Sequence, residues 1–248
     1  MKINYIKFGT GEKTMLIIPG LSIKPVCAAP EPVIEAYKTF TDDFTVYLFD
    51  QRNDLPERYS IDEMADDVYA KIEELDLKDI YLYGVSLGGM IAMSLTARYP
   101  KLIRKLVLCS TMYKGNKLLE KWYEYAQAKD SYRLVDSFTD EVYSKQFNEK
   151  FKEATLVAFK NISDDEFRRF MILDDAVIRC DISDELEMLK DKDVLFLGSE
   201  IDRIFRYEDM KDLCEKVGCE TYFYDDYGHA IYDEAPDIKE RIKEFYLR

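Results

Sequence analysis

The sequence predicts an α/β domain built on a mostly parallel sheet with helices on both faces. Short apolar runs, typical of strands buried on both faces, recur along the chain. Helical patterns separate most of these runs, and the connections are short. The chain has 248 residues, of which 47% are hydrophobic, enough for one large domain that carries an insertion.

The first elements follow from local patterns. Two β-rich runs flank the turn "TGEK", and this arrangement predicts a hairpin. A third buried strand and an amphipathic helix follow, and Ser60 and Glu63 form a capping box at the start of that helix. The predicted strands span residues 3–9, 14–20 and 44–50, and the helix spans residues 59–75.

The strand–helix alternation then continues, stops and resumes. Residues 112–181 contain helical stripes but no buried-strand pattern, so they are predicted to form an all-helical insertion. The core domain is therefore predicted to comprise residues 1–111 and 182–248. Its remaining strands are expected at residues 79–84, 103–111, 193–199 and 219–226, and its remaining helices at residues 86–100, 206–217 and 235–248.

Charge and composition exclude several function classes. The formal net charge is −14, which argues against nucleic acid as a partner. A single histidine, His229, excludes histidine-rich metal sites, and we expect neither a metal nor a cofactor. Five irregularly spaced cysteines suggest reduced thiols in the cytoplasm. We find no signal-peptide pattern and no apolar run long enough to span a membrane.

The stretch "YGVSLGGMIA" places Ser86 between a predicted buried strand and a helix. Gly84 and Gly88 flank Ser86 at two positions on either side, as a very tight turn requires. A serine hydroxyl becomes a good nucleophile only when a base removes its proton. His229 follows the last predicted strand, at the same edge of the sheet as Ser86, and is therefore the candidate base.

The base needs an acid that fixes its tautomer. Asp202 lies just beyond the preceding strand, in a loop that can reach the histidine loop. Glu200 is a close competitor, and Asp225 and Asp226 are further candidates. Asp202 is preferred because it lies deeper in its loop and gives the chain order serine, aspartate, histidine.

These motifs resemble the α/β-hydrolase superfamily over nearly the whole chain. The matching stretches include "LIIPGLS", "GVSLGGMIA", "LFLGSEIDRIF" and "YGHAIYDEAP". The resemblance implies that Ser86 is the nucleophile, His229 the base and Asp202 the acid. It also implies that the backbone N–H groups of Leu21 and Leu87 form an oxyanion hole, and that the insertion is the family's cap.

Two stretches depart from the family pattern. Pro19-Gly20 stands where the family often has His-Gly, which leaves a backbone donor at Leu21 unaffected. The segment "QRNDLP" lacks the glycines of the family's Arg-Gly-x-Gly stretch, so the shape of this loop is left open.

The resemblance implies a serine hydrolase, and we expect a carboxylesterase that acts on a small ester-like molecule. Thioester, C–C, amide or peptide hydrolysis and acyl transfer use the same residues and stay open, as does a non-catalytic receptor. Trp122, Ser110 and Thr111 are candidate substrate contacts. Most aromatic residues of the insertion are expected to form its own core.

Overall fold

The computed structural model describes residues 2–248 and contains one sheet of seven strands in the order β1-β3-β2-β4-β5-β6-β7. Strands β2 to β7 are parallel to one another, and β1 is antiparallel to its neighbour β3. The predicted fold class is therefore confirmed. The strands are β1 (Ile3–Phe8), β2 (Lys13–Ile18), β3 (Phe44–Arg52), β4 (Ile80–Val85), β5 (Ile103–Cys109), β6 (Val194–Ser199) and β7 (Glu220–Tyr224).

Helices cover both faces of this sheet. The predicted capping box at Ser60 is present, and Ser163 forms another at the start of the helix that follows it; each is closed by a glutamate three residues later. The helices are α1 (Pro30–Ala36), α2 (Ile61–Glu74), α3 (Leu87–Arg98), α4 (Glu120–Gln127), α5 (Ser131–Val142), α6 (Lys145–Ala158), α7 (Asp164–Ile178), α8 (Tyr207–Val217), α9 (Ile231–Glu234) and α10 (Ile238–Leu247).

The predicted hairpin between the first two strands is wrong. Strand β3 lies between β1 and β2 and pairs with both of them. The segment between β1 and β2 instead crosses the start of β3, where the Thr10 N–H donates to the Thr41 carbonyl oxygen over 2.9 Å. A side chain at Gly11 would collide there with the backbone of Asp43. The glycine therefore serves a close crossing of chains rather than a hairpin turn.

Alternate residues of the strands pack on opposite faces of the sheet. Met15 and Ile17 belong to the core on the face covered by α1, α9 and α10. Leu16 and Ile18 belong to the larger core beneath α2, α3, α8 and the insertion. Burial on both faces explains why these strands are apolar throughout.

Helices α4 to α7 form the helical insertion between β5 and β6. Its two ends lie side by side, since Lys114 and Asp181 form an antiparallel bridge. The Gly115 N–H donates to the Cys180 carbonyl oxygen over 2.8 Å, and the Ile182 N–H donates to that of Tyr113 over 3.0 Å. The insertion thus leaves and rejoins the sheet domain at one place.

Among residues 2–248, no helix is long and apolar enough to cross a membrane.

Candidate active site

Ser86 occupies a sharp turn between β4 and α3. Its backbone angles are φ 50° and ψ −117°, in a region that non-glycine residues rarely adopt. A Cβ at Gly84 would lie 2.6 Å from the Gly88 carbonyl oxygen, and one at Gly88 would lie 2.0 Å from that of Ile18. Both glycines are therefore required by close packing around the turn, as the motif predicts.

His229 links Ser86 to Asp202. The His229 Nε2 atom lies 3.0 Å from the Ser86 Oγ, and the Nδ1 atom lies 2.7 Å from the Asp202 Oδ2. The His229 and Asp202 side chains are 4% and 0% exposed. These distances fit a neutral imidazole that accepts the serine proton at Nε2 and donates its own Nδ1 proton to the carboxylate.

The second oxygen of Asp202 is also satisfied. Its Oδ1 accepts hydrogen bonds from the N–H groups of Ile204 at 2.7 Å and Phe205 at 3.0 Å. The carboxylate is therefore fixed in position without any partner other than His229 and its own loop. The competing carboxylates Glu200, Asp225 and Asp226 are exposed to solvent.

The predicted oxyanion donors lie on either side of Ser86. Leu87 is the first residue of α3, where a backbone N–H has no intrahelical partner. Gly20 lies close to the turn, because a Cβ added to it would be 3.2 Å from the Ser86 Cβ. Leu21, the next residue, therefore lies beside the turn. In the part of the chain that the structure describes, the Leu21 N–H makes no backbone hydrogen bond. Two N–H groups are therefore available near Ser86.

The three candidate substrate contacts have different positions. Trp122 lines the small space beside Ser86 and His229, where its indole N–H donates to the Ser137 Oγ at 3.2 Å. Thr111 is fully buried and donates to the Ser86 carbonyl oxygen at 2.7 Å, so it supports the turn from behind. Ser110 is also fully buried, and neither Ser110 nor Thr111 lines a cavity around the site.

Two adjoining spaces define room for a ligand. The space beside Ser86 has about 20 Å³, enough for one water molecule. A larger cavity of about 370 Å³ lies between α1, the Pro19–Val26 loop and the insertion. Gly20, Leu21, Phe138 and Tyr232 line both spaces. A substrate whose reacting atom meets Ser86 would therefore extend into the larger cavity.

Several lining residues escaped the sequence analysis. Val135, Phe138, Thr139 and Val142 of α5 line these spaces, and their helical spacing could have identified a common face. Tyr232 and Asp233 follow His229 within one quoted stretch, which could have drawn attention to them.

The insertion contacts the carboxyl edge of the sheet at two places. Glu234 accepts hydrogen bonds from the Gly228 N–H at 3.2 Å and from the Ser144 N–H at 3.0 Å, so it joins the histidine loop to the start of α6. Arg169 of α7 pairs with Asp50 at 2.6 Å and lies 3.5 Å from the Ser22 carbonyl oxygen. Burial lowers the pKa of Arg169, whereas the charge of Asp50 opposes this shift.

Within the described residues 2–248, no group of three or more histidine, cysteine, aspartate or glutamate side chains is placed to hold a metal ion.

Comparison with curated proteins gives matches over part of the chain. RutD of Rhizobium rhizogenes, provisionally named a carbamate hydrolase, is 34% identical over 110 residues, which are 42% of this chain and 40% of its own length. The mouse serine hydrolase BPHL is 28% identical over 145 residues, 50% of this chain and 48% of its own. The chain thus spans less than half the length of these curated relatives.

Solved structures match over nearly the whole chain. MGS-M2, an α/β hydrolase enzyme from a Medee basin deep-sea metagenome library, gives a TM-score of 0.87 at 21% identity and covers 99% of this chain and 94% of its own. The esterase EaEST from Exiguobacterium antarcticum gives 0.83 at 18% identity, over 99% and 96% of the two chains. At such identities the likeness establishes the fold alone.

A comparison with protein-family models decides the family. The model described as the α/β hydrolase fold matches residues 33–236, most of the chain. Together with the sheet topology, this match confirms the resemblance drawn from the sequence motifs. The chain belongs to the α/β hydrolase fold family.

Proposed function

We propose that this protein is a serine hydrolase that cleaves small carboxylic esters through an acyl-enzyme on Ser86. The observation that carries the proposal is the hydrogen-bonded chain from the Ser86 Oγ through His229 to Asp202, with distances of 3.0 and 2.7 Å. The sharp turn at Ser86 and the two N–H groups beside it provide independent support.

In the first half-reaction, the Ser86 Oγ attacks the acyl carbon while His229 takes its proton at Nε2. Asp202 stabilises the imidazolium that forms. The negative oxygen of the tetrahedral intermediate accepts hydrogen bonds from Leu21 and Leu87, each worth about 3–4 kcal/mol in comparable sites. His229 then protonates the departing alcohol, and the acyl group remains bound to Ser86.

In the second half-reaction, His229 removes a proton from water, which attacks the acyl carbon. The intermediate collapses, the carboxylic acid leaves and Ser86 regains its proton. These steps require only the chain, the ester and one water molecule. The five cysteines are free thiols, which is compatible with the cytoplasmic location that we propose from their spacing.

Activity against para-nitrophenyl esters of graded acyl length tests the proposal. We expect Ser86→Ala to lower kcat/KM by a factor of at least about 10⁴, because the nucleophile is lost. Ser183→Ala, a substitution away from the site, is the matched control and should retain full activity. Full activity of Ser86→Ala would disprove the assignment.

The same preparation separates the alternatives. A fluorophosphonate probe should label the wild type and not Ser86→Ala, whereas a receptor without an active serine would not be labelled. Thioester, anilide and carbamate substrates with the same acyl group then show which type of bond the protein cleaves fastest. The carbamate is included because the RutD relative carries that provisional name. A carbamate cleaved faster than its ester would replace the ester as the preferred substrate.

A further inference from the structure

The larger cavity beside the candidate site is mostly apolar, but it has a carboxylate in its wall. Among the described residues, the charged side chains that line it are Lys24 and Asp233. Lys24 lies over the Phe159 ring, with Nζ 5.4 Å from the ring centre. Asp233 belongs to α9, four residues after His229, and is not part of the proposed mechanism.

Asp233 lines the cavity and is also exposed. The residue retains accessible surface, and it lines the cavity together with Tyr143 and Tyr232. Nevertheless, loss of hydration is the largest influence on its pKa, which is raised. Both observations fit a carboxyl group that borders the cavity, has protein on several sides and is still reached by solvent.

The protein satisfies only part of this carboxylate. The Tyr143 hydroxyl donates to the Asp233 Oδ2 at 3.1 Å. Lys239 of α10 helps to keep the pKa of Asp233 from rising further, but its ammonium group donates to the Tyr232 carbonyl oxygen instead. Within residues 2–248, the Asp233 Oδ1 has neither a hydrogen bond nor an ion pair.

An apolar ligand arm would displace water from that oxygen and leave it without a partner, which is costly. A carboxylate on the arm would be repelled, whereas an ammonium group would supply both charge and hydrogen-bond donors. We propose that Asp233 is a specificity residue that binds a protonated amine on the part of the ester that occupies the larger cavity. This inference rests on the proposed ester hydrolysis and names the class of its substrate.

The test compares para-nitrophenyl esters of butyric, hexanoic and octanoic acid with their ω-amino and ω-carboxy analogues at neutral pH. In the wild type, we expect one chain length at which kcat/KM for the ω-amino ester exceeds that for its parent by about tenfold. One hydrogen bond between charged groups is strong enough to produce a difference of this size. The ω-carboxy ester should be the poorest substrate.

Asp233→Asn should abolish the amine preference, chiefly by lowering kcat/KM for the ω-amino ester by about tenfold. Asp42→Asn is the matched control: it removes one negative charge from an exposed residue before β3, away from the cavity. This control separates local binding from attraction by the net charge of −14. It should retain the full preference.

An amine preference that persists in Asp233→Asn would overturn the inference, as would its absence from the wild type at every chain length. Ester hydrolysis without that preference leaves the proposed function intact. By contrast, hydrolysis that survives Ser86→Ala would remove the proposed function itself.

A second measurement requires no variant. Hexylamine, hexanol and hexanoate are compared as competitive inhibitors of the wild type against a short ester. We expect hexylamine to inhibit most strongly and hexanoate least. Stronger inhibition by hexanol would assign the cavity to neutral ligands and would contradict a role for the Asp233 charge.

Discussion

The carboxyl edge of the sheet and the helical insertion both border the candidate site, but a buried carboxylate in each of them differs in its hydrogen bonding. At the sheet edge, both oxygens of Asp202 and both ring nitrogens of His229 have hydrogen-bond partners. In the insertion, Asp174 of α7 is fully buried, and neither carboxyl oxygen has a partner of ordinary geometry.

The two regions also differ in how deeply their helices are buried. Helix α3 behind Ser86 is buried along nearly all its length, whereas α6 of the insertion contains no buried residue. Reaction geometry must be held to fractions of an ångström, and the sheet edge meets that requirement. The insertion mainly supplies the walls of the cavities. The sheet edge is thus the more tightly packed, rigid region, and the insertion lines the cavities together with α1 and α9.

The largest effect should come from the rigid region. Asp202→Asn should lower kcat by a factor of about 10⁴, because the amide cannot stabilise the imidazolium and favours the wrong tautomer of His229. Steady-state kinetics on an activated ester measures this loss. Glu200→Gln, which changes the exposed competitor in the same loop, should behave as the wild type. A comparable loss in Glu200→Gln would assign the acid to Glu200 instead.

The second effect should come from the ion pair between Arg169 and Asp50, which joins the insertion to the sheet. Arg169→Met leaves Asp50 buried without its ion-pair partner, since these side chains are only 11% and 2% exposed. We expect the free energy of unfolding to fall by about 3–5 kcal/mol in urea titrations. Arg206→Met removes an exposed pair with Asp209 and should cost less than about 1 kcal/mol. Equal losses would show that burial of the Asp50 pair is unimportant.

A further effect should lie within the insertion and depend on pH. Burial raises the pKa of Asp174 from 3.8 to about 8, with a smaller contribution from Asp175. Between these values the folded state binds more protons than the unfolded state, so this group makes stability fall as pH rises, until the decline ends above the folded pKa. Asp174→Asn should therefore be more stable than the wild type at alkaline pH, by on the order of a few kcal/mol.

Urea titrations at acidic, neutral and alkaline pH check this dependence. The stability difference between Asp174→Asn and the wild type should widen with pH and then become constant. Asp165→Asn, an exposed substitution on the same helix, should show no such trend. A difference that is independent of pH would mean that Asp174 does not titrate through burial.

The sequence predicted the elements that depend on local patterns. Buried strands, capped helices and the turn at Ser86 all leave signals within a few residues. The pairing of β1 with β3 instead of β2 could not be derived in this way, because strand order is decided by packing between distant segments. The short helices α1 and α9 are too brief to show a clear period.

Within the candidate site, motif residues were easier to find than their surroundings. Ser86 and His229 stand in distinctive local contexts, and their distances agree with the roles that the motifs predict. The pair Arg169 and Asp50 joins residues 119 positions apart, and no local pattern connects them. The position of Asp233 in the cavity wall depends equally on segments from α1, α5 and α9.

The bridge between Lys114 and Asp181 has an evolutionary consequence. Because the chain departs and returns at adjacent points, a deletion or exchange between them would leave β5 and β6 joined through residues 182–193, whose 3-10 helix Ser183–Leu189 belongs to the crossover between these two parallel strands. The parallel sheet would keep its connectivity, and the Ser86 turn would keep its supports on β4, α3 and Thr111. Natural variation could therefore replace the cavity walls that the insertion supplies in a single genetic event, while the sheet domain keeps Ser86, Asp202 and His229 as well as Asp233.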